Sequence, residues 1–359
     1  MNIKPLAIFV AVLAVIAGVG TVLKKNDTTS LDGDDPRVGQ EILDLESLGK
    51  VTKVTLNLRD GAIDFVQSDS GDWIVENHYQ LPVDFARFRG FIDDVASSVI
   101  VRKVTANKAR MERLGFGIDF IRFSDADGNM LRSVEFGRNA DAALGRFVML
   151  DDSPAAYLAD MDVVLRGDPN DWIIRRFYEL EKQDVKAVTL TLPDGSKLAA
   201  SRENGSADFS GDNLAENESL QEDIIDSFLN RYRTIRFNQA ESKDNEDYIA
   251  AMENPNLASI ELFDGTQYQI KVGRRTPDAQ GEGGAEPDSM QYPVFVEVTG
   301  GGNPAQLDAM MANAAFTVLD GFIRAFPATA SDWIETAEPE APTELPETAE
   351  SLESADNPS

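Results

Sequence analysis

His78 is the sole histidine of the chain and is followed directly by Tyr79. One imidazole can titrate near neutral pH or touch a ligand. It cannot build a multi-histidine metal site, and it leaves no spare partner for a Ser-His-Asp arrangement. Cysteine is absent, which removes thiolate zinc sites, disulfides and cysteine nucleophiles. Asp125-Ala126-Asp127-Gly128-Asn129 spaces its carboxylates like the opening of a calcium loop, but such a loop needs glycine at its sixth position, which is Met130 here. Turn chemistry accounts for it. Gly300-Gly301-Gly302-Asn303-Pro304 lacks the Lys and Ser/Thr of a phosphate loop and reads as a plain loop. Asp93-Asp94 and Glu222-Asp223 are the residue type that acid/base hydrolysis uses in pairs, yet on amphipathic helices they read as solvated faces. No catalytic, cofactor or metal residue is assigned. What remains is a candidate interaction surface of Trp73, His78, Tyr79, Trp172, Arg175 and Arg176, because aromatic and guanidinium side chains are the favoured binding anchors.

The elements that must carry these residues recur. Val51-Thr52-Lys53-Val54-Thr55-Leu56-Asn57-Leu58-Arg59-Asp60-Gly61 returns as Val185-Lys186-Ala187-Val188-Thr189-Leu190-Thr191-Leu192-Pro193-Asp194-Gly195. A second turn follows each first one, Asp127-Gly128 after 67 residues and Asp264-Gly265 after 70. Alternation around each Asp-Gly predicts hairpins. Trp73-Ile74-Val75 predicts a third strand, and Asp84 caps a helix whose face is Phe85, Phe88, Ile92, Val95 and Val99. A short helix follows near Asn107 to Leu114. In the second half Leu220, Ile224, Phe228, Tyr232 and Ile235 form the equivalent face. Phe147 to Leu150 and Tyr292 to Val298 predict late strands. Closing helices are expected at Asp171 to Leu180 and Ala312 to Phe326, with inserted loops at Gln280 to Pro287 and Gly300 to Pro304. The fold class is therefore α+β, two tandem duplicated modules of antiparallel hairpins packed on amphipathic helices, at 51–183 and 184–334.

Leu6 to Leu23 is uncharged over 18 residues and bounded by Lys4 and Lys24-Lys25. As a helix it would span about 27 Å, close to the roughly 30 Å hydrocarbon core. Residues 1–5 form a short N-terminal segment and 6–23 a single transmembrane helix. Ala14-Val15-Ile16-Ala17 offers a signal-peptidase spacing, but apolar residues continue through Val19, Val22 and Leu23 until the lysine pair, which favours an uncleaved anchor. Near-membrane positive charges do not favour export. A long domain translocates largely regardless of them, so the body is expected outside the cytoplasm. Residues 24–50 have little apolar content and read as a flexible tether, and 335–359 as an acidic Pro/Glu tail that cannot bury a core. The net charge is −29, which repels nucleic acid and anionic surfaces overall.

Several of these residues together resemble a known family. The uncharged N-terminal helix, Asp72-Trp73-Ile74-Val75 before the Pro82 to Val99 helix, Leu114-Gly115-Phe116 entering a hairpin, and Glu135-Phe136-Gly137-Arg138 are similar to the domain-of-unknown-function 4340 (DUF4340) family over about residues 4 to 335. In the second half Phe209 stands where the first has Trp73. The resemblance implies a membrane-anchored bacterial protein often encoded beside an ABC-type transporter and its auxiliary subunit, with no established enzymatic activity.

The expectation is a non-enzymatic accessory or assembly component of an ABC-type transport or envelope complex. It would be single-pass in the bacterial inner membrane with a periplasmic body, no cofactor, and transporter subunits or an auxiliary protein as partners. A carboxylate-dependent envelope hydrolase and a ligand-binding module using the groove between the repeats are the alternatives.

Overall fold

Apolar alternation sets the strands. The computed structural model describes residues 35–336 apart from 141–144, 152, 213, 216 and 277–291. The segments 1–5 and 6–23, the first part of the tether, the Gln280 to Pro287 loop and the tail beyond Thr336 lie outside the described residues. No helix among those described is long and apolar enough to cross a membrane.

Residues 35–50, read from composition as tether, are packed as a strap. Ile42 and Leu43 are buried, and their backbone N–H groups donate to Ser98 and Ala96. The Arg37 guanidinium donates to Ser153 Oγ at 3.0 Å and Tyr157 Oη at 2.9 Å. A one-turn helix, α1 (Leu45–Leu48), capped by Asp44, leads into the first strand. Ile42 and Leu43, with Val38 and Leu48 packed half-buried against the same core, dock it.

In β1 (Lys53–Leu58) Val54, Leu56 and Leu58 point into the core. The first sheet continues with β2 (Gly61–Gln67), β3 (Trp73–Val75), β4 (Leu81–Pro82), β5 (Ile100–Thr105), β6 (Phe120–Ser124), β7 (Met130–Asn139), β8 (Arg146–Leu150) and β9 (Ala156–Ala159). It is antiparallel in the order β4-β3-β2-β1-β6-β7-β8-β9-β5. Helix α2 (Phe85–Ser97), capped by Asp84, buries Phe88, Phe91, Ile92, Val95 and Ala96 on its front. Phe85 is half exposed and Val99 lies beyond the helix, so the buried face is one residue row narrower than the expected one. On the back, α3 (Lys108–Met111) and a 3₁₀ turn at Glu112–Leu114 cover a small cluster of Leu114, Phe147, Ala156 and Leu158.

Strand β10 (Arg176–Glu179) then begins the passage to the second sheet, built from β11 (Val185–Thr191), β12 (Lys197–Ser201), β13 (Ser210–Gly211) and five later strands. Between them stand β14 (Glu218–Leu220), helix α4 (Glu222–Tyr232) and β15 (Thr234–Arg236). The later strands are β16 (Ala240–Glu241), β17 (Asn256–Leu262), β18 (Gln267–Arg274), β19 (Val294–Gly300) and β20 (Ala315–Val318). Their order is β13-β12-β11-β17-β18-β19-β20-β16, which follows the first sheet strand for strand from β3 to β5. Helix α5 (Glu246–Glu253) covers the back cluster of Tyr248, Ala251, Phe295 and Ala315, as α3 does in the first sheet. Gly137 and Gly273 occupy the same rung and allow that close approach. A Cβ on Gly137 would stand 2.7 Å from the Leu114 carbonyl oxygen, and one on Gly273 would strike that of Ala251. The four Asp-Gly turns all place their glycine at positive φ, Gly61, Gly128, Gly195 and Gly265.

The closing helices are not there. Asp171 to Leu180 is a 3₁₀ turn (Pro169–Asp171) followed by β10, which pairs with β15. In the Ala312 to Phe326 region helix α6 (Pro304–Asn313) ends as β20 begins, and Ile323–Ala325 is a 3₁₀ turn. The Gly300 to Pro304 loop ends at Asn303, which caps α6 with Pro304 as its first residue. The last described strand, β21 (Ile334–Thr336), pairs with β14 and takes Glu335 and Thr336 out of the tail.

Candidate functional site

Each sheet is closed by an Asp-Trp-Ile tripeptide. Asp171-Trp172-Ile173 and Asp332-Trp333-Ile334 each overlap the end of a 3₁₀ turn, Pro169–Asp171 and Ala330–Trp333, and both tryptophans are almost fully buried. The Trp172 carbonyl accepts from the Asp84 N–H at 2.7 Å, and the Trp333 carbonyl from the Gln221 N–H at 2.9 Å. Asp84 and Gln221 are the N-cap residues of α2 and α4. Ile173 bridges Val83 and Ile334 pairs with Leu220, one residue before each cap. The sequence holds three Asp-Trp-Ile strings, at 72–74, 171–173 and 332–334; the first enters β3, and the other two, 161 residues apart, make the closures.

The junction between the sheets is built on Trp172. Its ring lies 5.4 Å from Phe65 and 5.0 Å from Phe91, and its Nε1–H donates to the Arg166 carbonyl at 3.0 Å. Five residues later Phe177 packs 5.2 Å from Phe237 and 5.1 Å from Phe316, while Tyr178 lies 4.5 Å from Tyr268 and donates to the Tyr232 carbonyl at 2.8 Å. The connecting segment is therefore buried in both halves, and their front cores form one contiguous cluster.

The expected interaction residues divide. Trp172 belongs to the core, and Trp73 is half-buried against Phe88 at 4.9 Å. Neither offers the free face that a binding anchor needs, because the aromatic packing of α2 takes it. Arg176 is exposed and pairs with Glu179, and the Arg175 carbonyl accepts from the Phe237 N–H at 3.0 Å. His78 and Tyr79 do stand together, rings 5.2 Å apart. Tyr79 and Gln80 both sit at positive φ, 54° and 53°, an uncommon strain for two consecutive side-chain-bearing residues. Burial pushes the His78 imidazole below its ordinary pKa, opposed by the nearby Asn170 side chain and the charge of Asp168. Its Nε2 is buried without a hydrogen-bond partner, as is Asn170 Oδ1. Burial raises the Tyr79 phenol, and Glu241 of β16 adds to the rise. The Glu241 charge, from the second half, thus bears on this loop.

Two groups escaped sequence reasoning. Glu297 on the outer face of β19 accepts from the Tyr248 phenol and from Lys243 and Lys271, both at 3.1 Å. Burial would raise its pKa, but the hydrogen bonds from Tyr248, Lys271 and Lys243 win and hold it at about 2. One acid inside Val294-Phe295-Val296-Glu297-Val298 was the available signal. The second is Arg202, nine-tenths buried, whose guanidinium donates to the carbonyls of Val185 (2.8 Å), Gly205 (3.2 Å) and Lys182 and stacks on Phe209 at 4.5 Å. It forms one wall of a cavity of about 320 Å³ inside the second half, with Lys182 and Asp226 paired at the rim. That cavity is not between the halves, where a ligand groove was expected. Its guanidinium nitrogens are already committed to carbonyls.

Of the carboxylates considered for hydrolysis, Asp93 pairs with Arg89 at 3.3 Å and Asp223 is exposed. Among the described residues no group of three or more His, Asp or Glu side chains could hold a metal ion. Chemically, the surface offers charge and shape recognition.

A family model described as Domain of unknown function (DUF4340) matches residues 73–251, from Trp73 through the junction to α5. No curated protein and no solved structure matches the chain.

Proposed function

From the premise that the chain belongs to the DUF4340 family, we propose that it is a non-enzymatic accessory component of an ABC-type transport or envelope complex. It is anchored by residues 6–23 in the bacterial inner membrane with its body in the periplasm. We read the two halves as tandem copies of one unit, a reading supported by the shared strand order and by the two Asp-Trp-Ile closures. The observation that carries the functional reading is the junction. A segment buried on both sides, with Trp172 in one half and Phe177 in the other, favours one broad docking surface over a hinged cleft that opens around a substrate. The transporter as partner comes from the family resemblance.

Crosslinking followed by affinity purification from native membranes is expected to recover ABC-transporter subunits, and recovery of none overturns the assignment. A reporter fused after Ser359 is expected to be active only outside the cytoplasm. Mature protein beginning at Gly18 would sink the anchor.

A second reading, ligand binding at the His78 loop, is favoured by one observation, the buried and unpartnered His78 Nε2 and Asn170 Oδ1. His78→Phe should then abolish capture of an envelope-extract ligand while leaving the recovered protein partners unchanged.

A further inference from the structure

In this acid-rich chain about half of the described cations pair with a described carboxylate. Lys53, Arg89, Arg132, Lys182, Lys243 and Arg275 all do. Arg102, Lys108, Arg110 and Arg113 do not. All four are exposed, none makes an ion pair with a described residue, and they follow one another along edge strand β5, helix α3 and its 3₁₀ turn. Residues 100–115 hold these four, Lys103 and a single acid, Glu112, for a net charge of +4. The corresponding stretch of the second half, 240–255, holds Glu241, Asp244, Glu246, Asp247 and Glu253 against Lys243, a net charge of −4. The fold position does not require basic residues, since its counterpart carries the opposite sign. Val101 and Ile118, 45% and 57% exposed, add apolar surface beside the cations.

The chain enters the folded body at this same edge. Asp35, the first described residue, pairs with Lys103 of β5 at 3.2 Å and accepts from Tyr157 of β9 at 3.1 Å. Eleven residues separate it from Leu23, the end of the apolar run. Even fully extended they reach about 40 Å. If residues 6–23 are the anchor proposed above, on which this inference rests, the β5 edge cannot leave the neighbourhood of the bilayer.

We propose that the β5–α3 face docks on the anionic headgroups of the membrane that holds the N-terminal segment, setting the orientation of the body. The overall charge of −29 does not forbid this. At physiological salt charges are screened beyond about 8 Å, so headgroups in contact with the face meet local cations while the acidic remainder is pushed away. Attraction at one edge and repulsion elsewhere select one orientation.

The test uses the full-length protein reconstituted in phosphatidylcholine vesicles, with and without a third of the lipid replaced by phosphatidylglycerol. The absence of native cysteine allows a single fluorophore at Ala109→Cys, read by a headgroup-attached quencher. Strong quenching is expected only with phosphatidylglycerol, falling in high salt. The combined Arg102→Glu, Lys108→Glu, Arg110→Glu and Arg113→Glu variant should weaken the contact equilibrium roughly a hundredfold or more with its melting temperature kept. Lys197→Glu with Arg236→Glu, exposed cations of the second half, should change nothing. Quenching that ignores lipid charge overturns the proposal, as does a charge variant that loses self-association and behaves alike in both lipids, which would assign the face to a second copy. Vesicle retention in high salt reports the anchor separately. Release with salt-sensitive binding to anionic vesicles would sink the anchor and leave the face standing, whereas retention with charge-independent quenching would do the reverse.

Discussion

At the rung where the first sheet pairs Glu135 of β7 with Met149 of β8, the second pairs Lys271 of β18 with Glu297 of β19. The frame around the two rungs is alike, with Phe136 against Val148 in one and Val272 against Val296 in the other. The electrostatics are opposite. Burial alone acts on Glu135 and raises its pKa, while Glu297, also partly buried, is held at about 2 by a phenol and two lysines. Apolar inward residues and turn glycines maintain the sheet, so the outward row is free to differ. The back of one half is an apolar cluster under a basic crossover helix, and that of the other adds an ion-pair network to its apolar cluster under an acidic one. Function should be sought in the rows where the halves disagree.

The largest expected effect tests what the halves share. Trp172→Ala and Trp333→Ala each remove an almost fully buried ring, and such truncations cost about 3–5 kcal/mol. Trp172 also loses the Nε1–H bond to Arg166 and its place in the junction, so its cost should be the higher of the two. In denaturant unfolding Trp172→Ala should separate the halves into two transitions, whereas Trp333→Ala should lower the second half alone. Equal costs with a single transition in both variants would show that the junction does not couple them.

The next effect sharpens the electrostatic contrast. The folded-state pKa of Glu297 is depressed, so its contribution is fully present above the unfolded value near 4.5 and disappears as pH falls through about 2. Glu297→Gln should therefore destabilise by on the order of 3 kcal/mol at pH 7, and the gap from the parent should close between pH 4.5 and 2. Glu135 is raised by burial, so its ionised form opposes folding at neutral pH. Glu135→Gln should stabilise slightly there, with the gain vanishing as pH drops and the native carboxyl takes up its proton. Thermal melts of both variants across the acid range would settle the signs, and a destabilising Glu135→Gln breaks the comparison.

Legibility in the sequence followed the range of the forces involved. The Asp-Gly turns, the Asp84 cap and the Phe88-Ile92-Val95 face were readable because each is decided within a few residues. Trp172-Ile173-Ile174-Arg175-Arg176-Phe177 was misread as helix because its partners, Asp84 and Thr234–Arg236, lie tens of residues away, and pairing with them overrides local periodicity. Helix α6 was announced by Asn303-Pro304, a cap and first-turn proline hidden behind three glycines. The strap was missed because Val38, Ile42, Leu43, Leu45 and Leu48 are spread among charged and turn-forming residues without a strand or helix period. Of the proposed surface, His78 and Tyr79 were legible as an odd pair in a loop. Glu297 was not, since Lys243 and Tyr248 reach it from another element.

The smallest effect concerns where the second half ends. β21 adds two rungs beyond Leu220↔Ile334, Ser219↔Glu335 and Glu218↔Thr336, both at the protein surface. Exposed backbone pairs of this kind contribute roughly 1 kcal/mol or less each. Ending the chain at Ile334 should therefore lower the melting temperature by a few degrees, about what a change of that size produces in a domain of this length. Ending it at Thr336 keeps both rungs. It removes only the Pro/Glu stretch, which has no apolar face to dock, and should leave the melt within about 1 °C of the parent. The Trp333 closure sits just before both cuts. A large loss on deleting 337–359 alone would mean that the acidic stretch binds the body, and the second half would then have a closing contact that the first lacks.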